Sequence, residues 1–176
     1  MDFSKNIQDN IRSMNQLLDV NANFDVVYRT LRIGGRMACA YFIDGFTKDE
    51  VLLKIFQVWE SMKPEDMPDE AHEFSKQDIP YGEVGLVKEP DSMIVQLLTG
   101  ISCIFIDGYD CCITIDCRTY PARGVSEPEK DKVMRGSRDG FVETLIFNTA
   151  LIRRRIRDPK LTMEILNAGE SSHTDI

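Results

Sequence analysis

Residues 24–43, Phe-Asp-Val-Val-Tyr-Arg-Thr-Leu-Arg-Ile-Gly-Gly-Arg-Met-Ala-Cys-Ala-Tyr-Phe-Ile, contain two β-prone runs joined by Gly34-Gly35. A two-residue primed hairpin turn needs positive φ at both central positions, which glycine reaches without steric cost. The stretch is predicted to be a β-hairpin, and the remaining elements arrange themselves around it.

Upstream, Ile7, Ile11, Met14 and Leu18 fall on one face of a helix, with Ser4 as its expected N-cap. Residues 1–20 therefore read as an N-terminal amphipathic helix, separated from the hairpin by the break at Asn21 to Asn23. Downstream, Thr47 and Glu50 have capping-box spacing ahead of Val51, Leu52, Ile55, Val58 and Trp59, so a second helix should pack on the hairpin's sheet. Residues 61–82 are acidic and carry Pro64, Pro68 and Pro80. They read as a mobile surface loop with one short helix near residues 70–76.

A strand at 83–87, a helix at 91–99 ended by Gly100, and a strand at 102–106 suggest a parallel crossover. Asp107-Gly108-Tyr109-Asp110 then turns the chain into a second hairpin at 111–117. A long helix is predicted over 139–157, stopped by Asp158-Pro159, with Leu161, Met163 and Ile165 alternating as a last strand. The expected fold class is α/β: a mixed β-sheet with packed helices, including one strand-helix-strand crossover and two β-hairpins. Residues 21–168 form its single lobe, and residues 169–176 a tail.

With 176 residues and 43% hydrophobic content, the chain can bury one substantial core. A net charge of −8 argues against nucleic-acid binding, which needs a surplus of Lys and Arg. The apolar runs are far shorter than the roughly 20 residues of a membrane span, and the N-terminus lacks the pattern of an export signal.

Five cysteines and two histidines offer little chemistry. Cys103, Cys111, Cys112 and Cys117 fall within adjacent strands rather than on the knuckles of a zinc site, so buried packing is expected and no metal. Asp107, Asp110 and Asp116 bracket the second hairpin, where turn chemistry accounts for aspartate. No catalytic constellation, cofactor motif or nucleotide-binding loop emerges.

The arginine-flanked segment Arg135-Gly136-Ser137-Arg138-Asp139 precedes the long helix. A helix N-terminus favours an anion, so this segment is a candidate ligand- or partner-binding loop. The alternative is that its arginines pair with Glu127, Glu129, Asp131 or Asp139 and only fix the loop. Within the helix, Phe141, Val142, Leu145, Ile146, Ile152 and Ile156 are predicted to face the home sheet. Phe147 and Leu151 lie off that stripe and, with Arg154, form a candidate interaction surface; ordinary packing under a loop is the other reading. Arg153, Arg154 and Arg155 fan out at about 100° per residue and make no flat basic patch.

From Tyr120 onward, Arg123, Glu127-Pro128, Arg135-Gly136-Ser137-Arg138-Asp139-Gly140-Phe141, Glu143, Asn148, Leu151-Ile152-Arg153-Arg154-Arg155-Ile156 and Thr174-Asp175 together resemble the A-subunit family of bacterial spore germination proteins, nearest its stage V sporulation protein AF branch. With the Phe105-Ile106-Asp107-Gly108 region, the likeness covers roughly residues 24–176. It implies the cytosolic N-terminal part of a germinant-receptor or ion-channel-like subunit at the spore inner membrane, non-enzymatic and without a cofactor. The expected partners are other germination-complex subunits and the membrane region of a longer protein, in a homo- or hetero-oligomer. A second soluble lobe is expected to follow, which would cover Phe147 and Leu151.

Overall fold

The computed structural model describes residues 2–79, 82–120 and 140–176. In chain order the elements are α1 (Ile7–Leu17), β1 (Val26–Ile33), β2 (Arg36–Ile43), α2 (Asp49–Glu60), a 3-10 turn (Pro64–Asp66), α3 (Ala71–Gln77), β3 (Glu83–Val87), α4 (Pro90–Leu98), β4 (Ser102–Ile106), β5 (Cys112–Asp116), α5 (Leu145–Arg155), β6 (Asn167–Ala168) and β7 (Thr174–Asp175). Strands β1 to β5 form one sheet in the order β1-β2-β4-β5-β3, and β6 pairs with β7 in a separate small hairpin.

The α/β architecture and both hairpins are as the sequence indicates. Gly34 and Gly35 have φ of 52° and 77°, and Ile33 pairs with Arg36 across them, as a primed turn requires. The strand pairing departs from expectation because every neighbouring pair is antiparallel. Strands β3 and β4 do run in the same direction through the α4 crossover, but β5 lies between them and pairs with both. The unit is a split β-α-β, in which β5, returned by the short hairpin turn, fills the gap between β3 and β4.

An antiparallel sheet usually leaves one face in water, whereas this one is covered on both. Strand parity sorts the side chains. Cys39, Tyr41, Cys103, Phe105 and Cys112 join Ile7, Met14, Leu18, Met93 and Leu97 on the α1/α4 face. Ala38, Ala40, Ile104, Ile106, Ile113 and Ile115 meet Ile55, Trp59, Phe74 and Tyr109 on the α2/α3 face. Adjacent Cys111 and Cys112 consequently lie in opposite cores.

Two helix starts differ from the sequence reading. Helix α1 is capped by Asn6, whose side chain accepts from Gln8 N–H at 2.9 Å, while Ser4 Oγ accepts from Asn6 N–H. The first helical N–H, that of Ile7, goes to Asp107 Oδ1 at 3.1 Å, so a turn aspartate from the second hairpin docks the first helix. Helix α2 has no side-chain cap: its N-cap position is Lys48, and Thr47, one residue earlier, lies in a bridge with Arg118. The acidic excursion is not a loose loop. Met67, Ala71, Phe74 and Ile79 are buried, and Trp59 Nε1 donates to the Asp78 carbonyl at 2.9 Å.

Candidate functional site

Helix α5 begins at Leu145, well after the residue 139 expected from periodicity. Asn148 turns back on the preceding chain, accepting from Val142 N–H at 2.7 Å and donating to Val142 C=O at 2.6 Å. This side-chain clamp gives the backbone before residue 145 an alternative to helix. The loop residues Arg135, Gly136, Ser137, Arg138 and Asp139 lie outside the described residues, and residues 140–144 separate them from the first turn of α5.

The helix is also rotated relative to the predicted stripe. Its buried residues are Thr149, Ala150 and Arg153, while Leu145, Ile146 and Ile152 are half-buried. Phe141 and Val142 precede the helix, and Phe141 and Ile156 are exposed. Two local facts set the rotation. Gly45, at φ +80°, brings the chain after β2 so near that a Cβ there would lie 3.0 Å from Ile146 Cγ2 and 3.3 Å from Ala150 Cβ. Arg153 supplies the second, because its guanidinium finds a complete set of acceptors inside the protein.

Arg153 is 1% exposed. Its Nε donates to Asp25 Oδ2 at 2.7 Å and Nη2 to Asp25 Oδ1 at 3.0 Å, a bidentate pair across 128 residues of chain. Nη2 also reaches Asn23 Oδ1 at 3.3 Å, and Nη1 donates to the carbonyls of Asp158 and Leu161 at 3.3 and 3.0 Å. Asn23 extends the network by donating to Leu18 C=O at 2.7 Å and accepting from Met163 N–H at 2.9 Å. Helix α1, the entry to β1, α5 and residues 158–163 thus meet at one polar node. Buried charge is tolerated when paired and fully hydrogen-bonded, and this guanidinium is.

The opposite side of α5 carries the predicted interaction residues. Phe147 is 46% exposed, Leu151 is half-buried, and Arg154 lies over the Tyr120 ring with its guanidinium carbon 4.5 Å from the centroid. Tyr120 is fixed by an edge contact to Phe46 and by donating to Thr99 C=O at 2.9 Å. At i, i+4 and i+7 the three residues share one strip, as the sequence spacing requires. Beyond the helix, Ile156, Ile165 and Leu166 add exposed apolar surface. The alternating residues 161–165 form no strand, and the expected tail closes back so that Thr174–Asp175 pairs with Asn167–Ala168 in the β6–β7 hairpin.

Other sequence candidates resolve into structure. All five cysteines are free and buried, and burial pushes the Cys39 thiol to about 12 and Cys111 to about 11, far from nucleophilic thiolate. Asp116 grips Arg118, Asp110 approaches Lys88 at 3.8 Å, and Asp107 holds α1. Among the described residues no group of three or more His, Cys, Asp or Glu is placed to hold a metal ion. No described helix is long and apolar enough to cross a membrane. Three consecutive arginines look alike in the sequence, and the burial of Arg153 is marked there only by its helical spacing from the small residues Thr149 and Ala150.

The structure is an α/β lobe covered on both faces of its sheet, with Phe147, Leu151 and Arg154 on the side of α5 away from its buried residues. Residues 12–176 match the family model described as Bacillus/Clostridium GerA spore germination protein, and the chain belongs to that family of germination proteins. Stage V sporulation protein AF of Bacillus subtilis is 35% identical over 159 residues, 89% of this chain and 32% of that protein. Spore germination protein KA of the same organism is 30% identical over 165 residues, 90% of this chain and 30% of that protein. The chain therefore spans about a third of the length of these relatives.

The crystal structure of the N-terminal domain of the A subunit of the Bacillus megaterium spore germinant receptor GerK3 superposes with a TM-score of 0.75 at 20% identity, over 99% of this chain and 64% of that one. At that identity the likeness carries the fold. The family resemblance read from the arginine-rich segment is borne out, and the match reaches further upstream than residue 24, into α1.

Proposed function

We propose that this chain is the cytosolic N-terminal lobe of a spore germination receptor or ion-channel-like subunit, and that it acts in subunit assembly or signal coupling on the cytoplasmic face of the spore inner membrane. The observation that carries this reading is the family match running through α5 into the exposed apolar arm, in relatives about three times as long. Large exposed apolar side chains gathered along one arm mark a surface that another protein segment covers. In this reading Phe147, Leu151 and Arg154 meet the polypeptide that follows or a neighbouring subunit, and Arg135, Gly136, Ser137, Arg138 and Asp139 contribute polar contacts to a ligand or partner. Residues 1–20 and 21–168 work as one lobe, with residues 169–176 leading onward.

The test is made in the full-length protein in spores. Phe147→Glu and Arg154→Glu should each abolish co-isolation of the subunit with its complex while the protein accumulates at normal levels. Normal assembly and normal germination in both variants would overturn the reading.

A further inference from the structure

We infer that the outer edge of β1, from Tyr28 to Arg32, is a strand-docking site for an extended acidic segment of a partner protein. Strand β1 is the end of the five-stranded sheet. Its phase follows from the turn. In a two-residue primed hairpin the closing pair, here Ile33 and Arg36, exchanges both backbone hydrogen bonds. Odd-numbered residues of β1 therefore bond to β2, and even-numbered ones turn their N–H and C=O outward.

Two hydrogen bonds beyond the strand confirm this phase. Asp25 C=O accepts inward from Asp44 N–H at 2.8 Å, and Phe24 N–H donates outward to Met163 C=O at 3.0 Å. The edge thus already holds one strand-like bond at its beginning, made by the segment that Arg153 and Asn23 fix in place. Further along, the Tyr28 carbonyl takes a long bond from Arg29 Nη1 at 3.3 Å. The N–H groups of Tyr28, Thr30 and Arg32 and the C=O of Thr30 have no partner among the described residues. An open row of this kind is the template for strand addition.

Side chains supply the specificity. Tyr28, Arg29, Thr30 and Arg32 are exposed. Arg29 and Arg32 have no carboxylate within ion-pair distance among the described residues, although the chain's net charge is −8. Three apart on a strand, they project to opposite faces of the sheet, so an incoming strand satisfies both with acidic residues that are themselves three apart. Charge chooses among occupants. A second copy pairing β1 with β1 would gather four guanidinium groups on one seam without a carboxylate, whereas an acidic strand pairs every one.

Peptide binding at β1 and assembly through Phe147 involve different surfaces, so either can fail while the other holds. The probe is a capped eight-residue peptide of Val and Thr with two glutamates three apart, titrated into isotope-labelled protein. The expected result is saturable binding that weakens with salt, with amide shifts centred on Tyr28, Thr30 and Arg32. Arg29→Ser with Arg32→Ser should weaken it by about tenfold. Thr30→Pro removes an outward N–H without touching the β2 ladder and should abolish it. Equal binding of the same peptide with lysines in place of glutamates, shifts centred elsewhere, no binding at all, or concentration-dependent dimerisation through β1 would each overturn the proposal.

Discussion

The covering of the sheet by α2 and α3 and its attachment to the α5 arm are two different solutions to the same problem. On the α2/α3 side, Trp59, Phe74, Met67 and Ile55 bury apolar area against Ala38, Ala40, Ile104 and Ile113, with the Trp59–Phe74 ring centroids 5.5 Å apart. That adhesion is the sum of many apolar contacts, to which each large side chain contributes a share. On the α5 side, the buried residues of the helix are Thr149, Ala150 and Arg153, and the decisive contact is one guanidinium in a cage of oxygen acceptors. The first solution tolerates small shifts. The second is directional and fails as a unit, and so it defines the position of the strip carrying Phe147, Leu151 and Arg154.

The largest effect is expected where the diffuse core loses an anchor. Phe74→Ala should destabilise the whole fold by about 3 to 5 kcal/mol, read as a parallel fall in every spectroscopic probe of denaturation. A melt that leaves the sheet untouched would show that α3 is an appendage and collapse the contrast.

Arg153→Ala sharpens the comparison from the other side. Leaving Asp25 buried without its partner costs up to about 3 to 5 kcal/mol, and detaching the arm relieves part of that cost. Hydrogen exchange should therefore lose protection in α5 and residues 161–163 while β2, β4 and β5 stay protected. Arg153→Ala with Asp25→Ala should lose less than the sum of the two single changes, since both remove the same pair. Strict additivity would mean that the arm is held by something other than this node.

The smallest effect is expected at an ion pair that is only partly sheltered. Arg118 beside Asp116 holds that carboxyl below its usual range, so the folded state binds its proton more weakly than the unfolded chain does. The associated stability is fully present above the unfolded carboxylate pKa of about 3.9 and is lost as pH falls through the lower folded value. Asp116→Asn should change stability by less than about 1 kcal/mol at neutral pH and flatten the acid limb of the stability profile below about pH 4. An unchanged acid limb would show that the pair contributes nothing to folding.

The contrast also explains what could be read in advance. The first hairpin follows from two adjacent glycines, and α1, α2 and α4 follow from apolar spacing, because turn geometry and one-sided burial are written into neighbouring residues. The Phe-Ile-Asp-Gly echo at residues 42–45 and 105–108 has a local meaning too: Gly45 and Gly108, with φ of 80° and 94°, each turn the chain at a strand end. The rotation of α5 had no such signature. Its apolar residues suggested one face, while the buried face was selected by the close approach of Gly45 and by an acid 128 residues away. The same holds for β5, whose place between β3 and β4 no local pattern announces.

By itself, then, the amino-acid order determined the α/β class, the hairpins, most helix positions and, through the decorated segment around α5, the spore germination family. Periodicity, turn residues and family motifs are all properties of short stretches. Tertiary structure alone decided which strands became neighbours, that the acidic excursion packs as a lid on the core, and which of three consecutive arginines lies inside. Those outcomes depend on which distant groups can satisfy a buried charge or fill a face of the sheet, and that is settled only when the whole chain has closed around them.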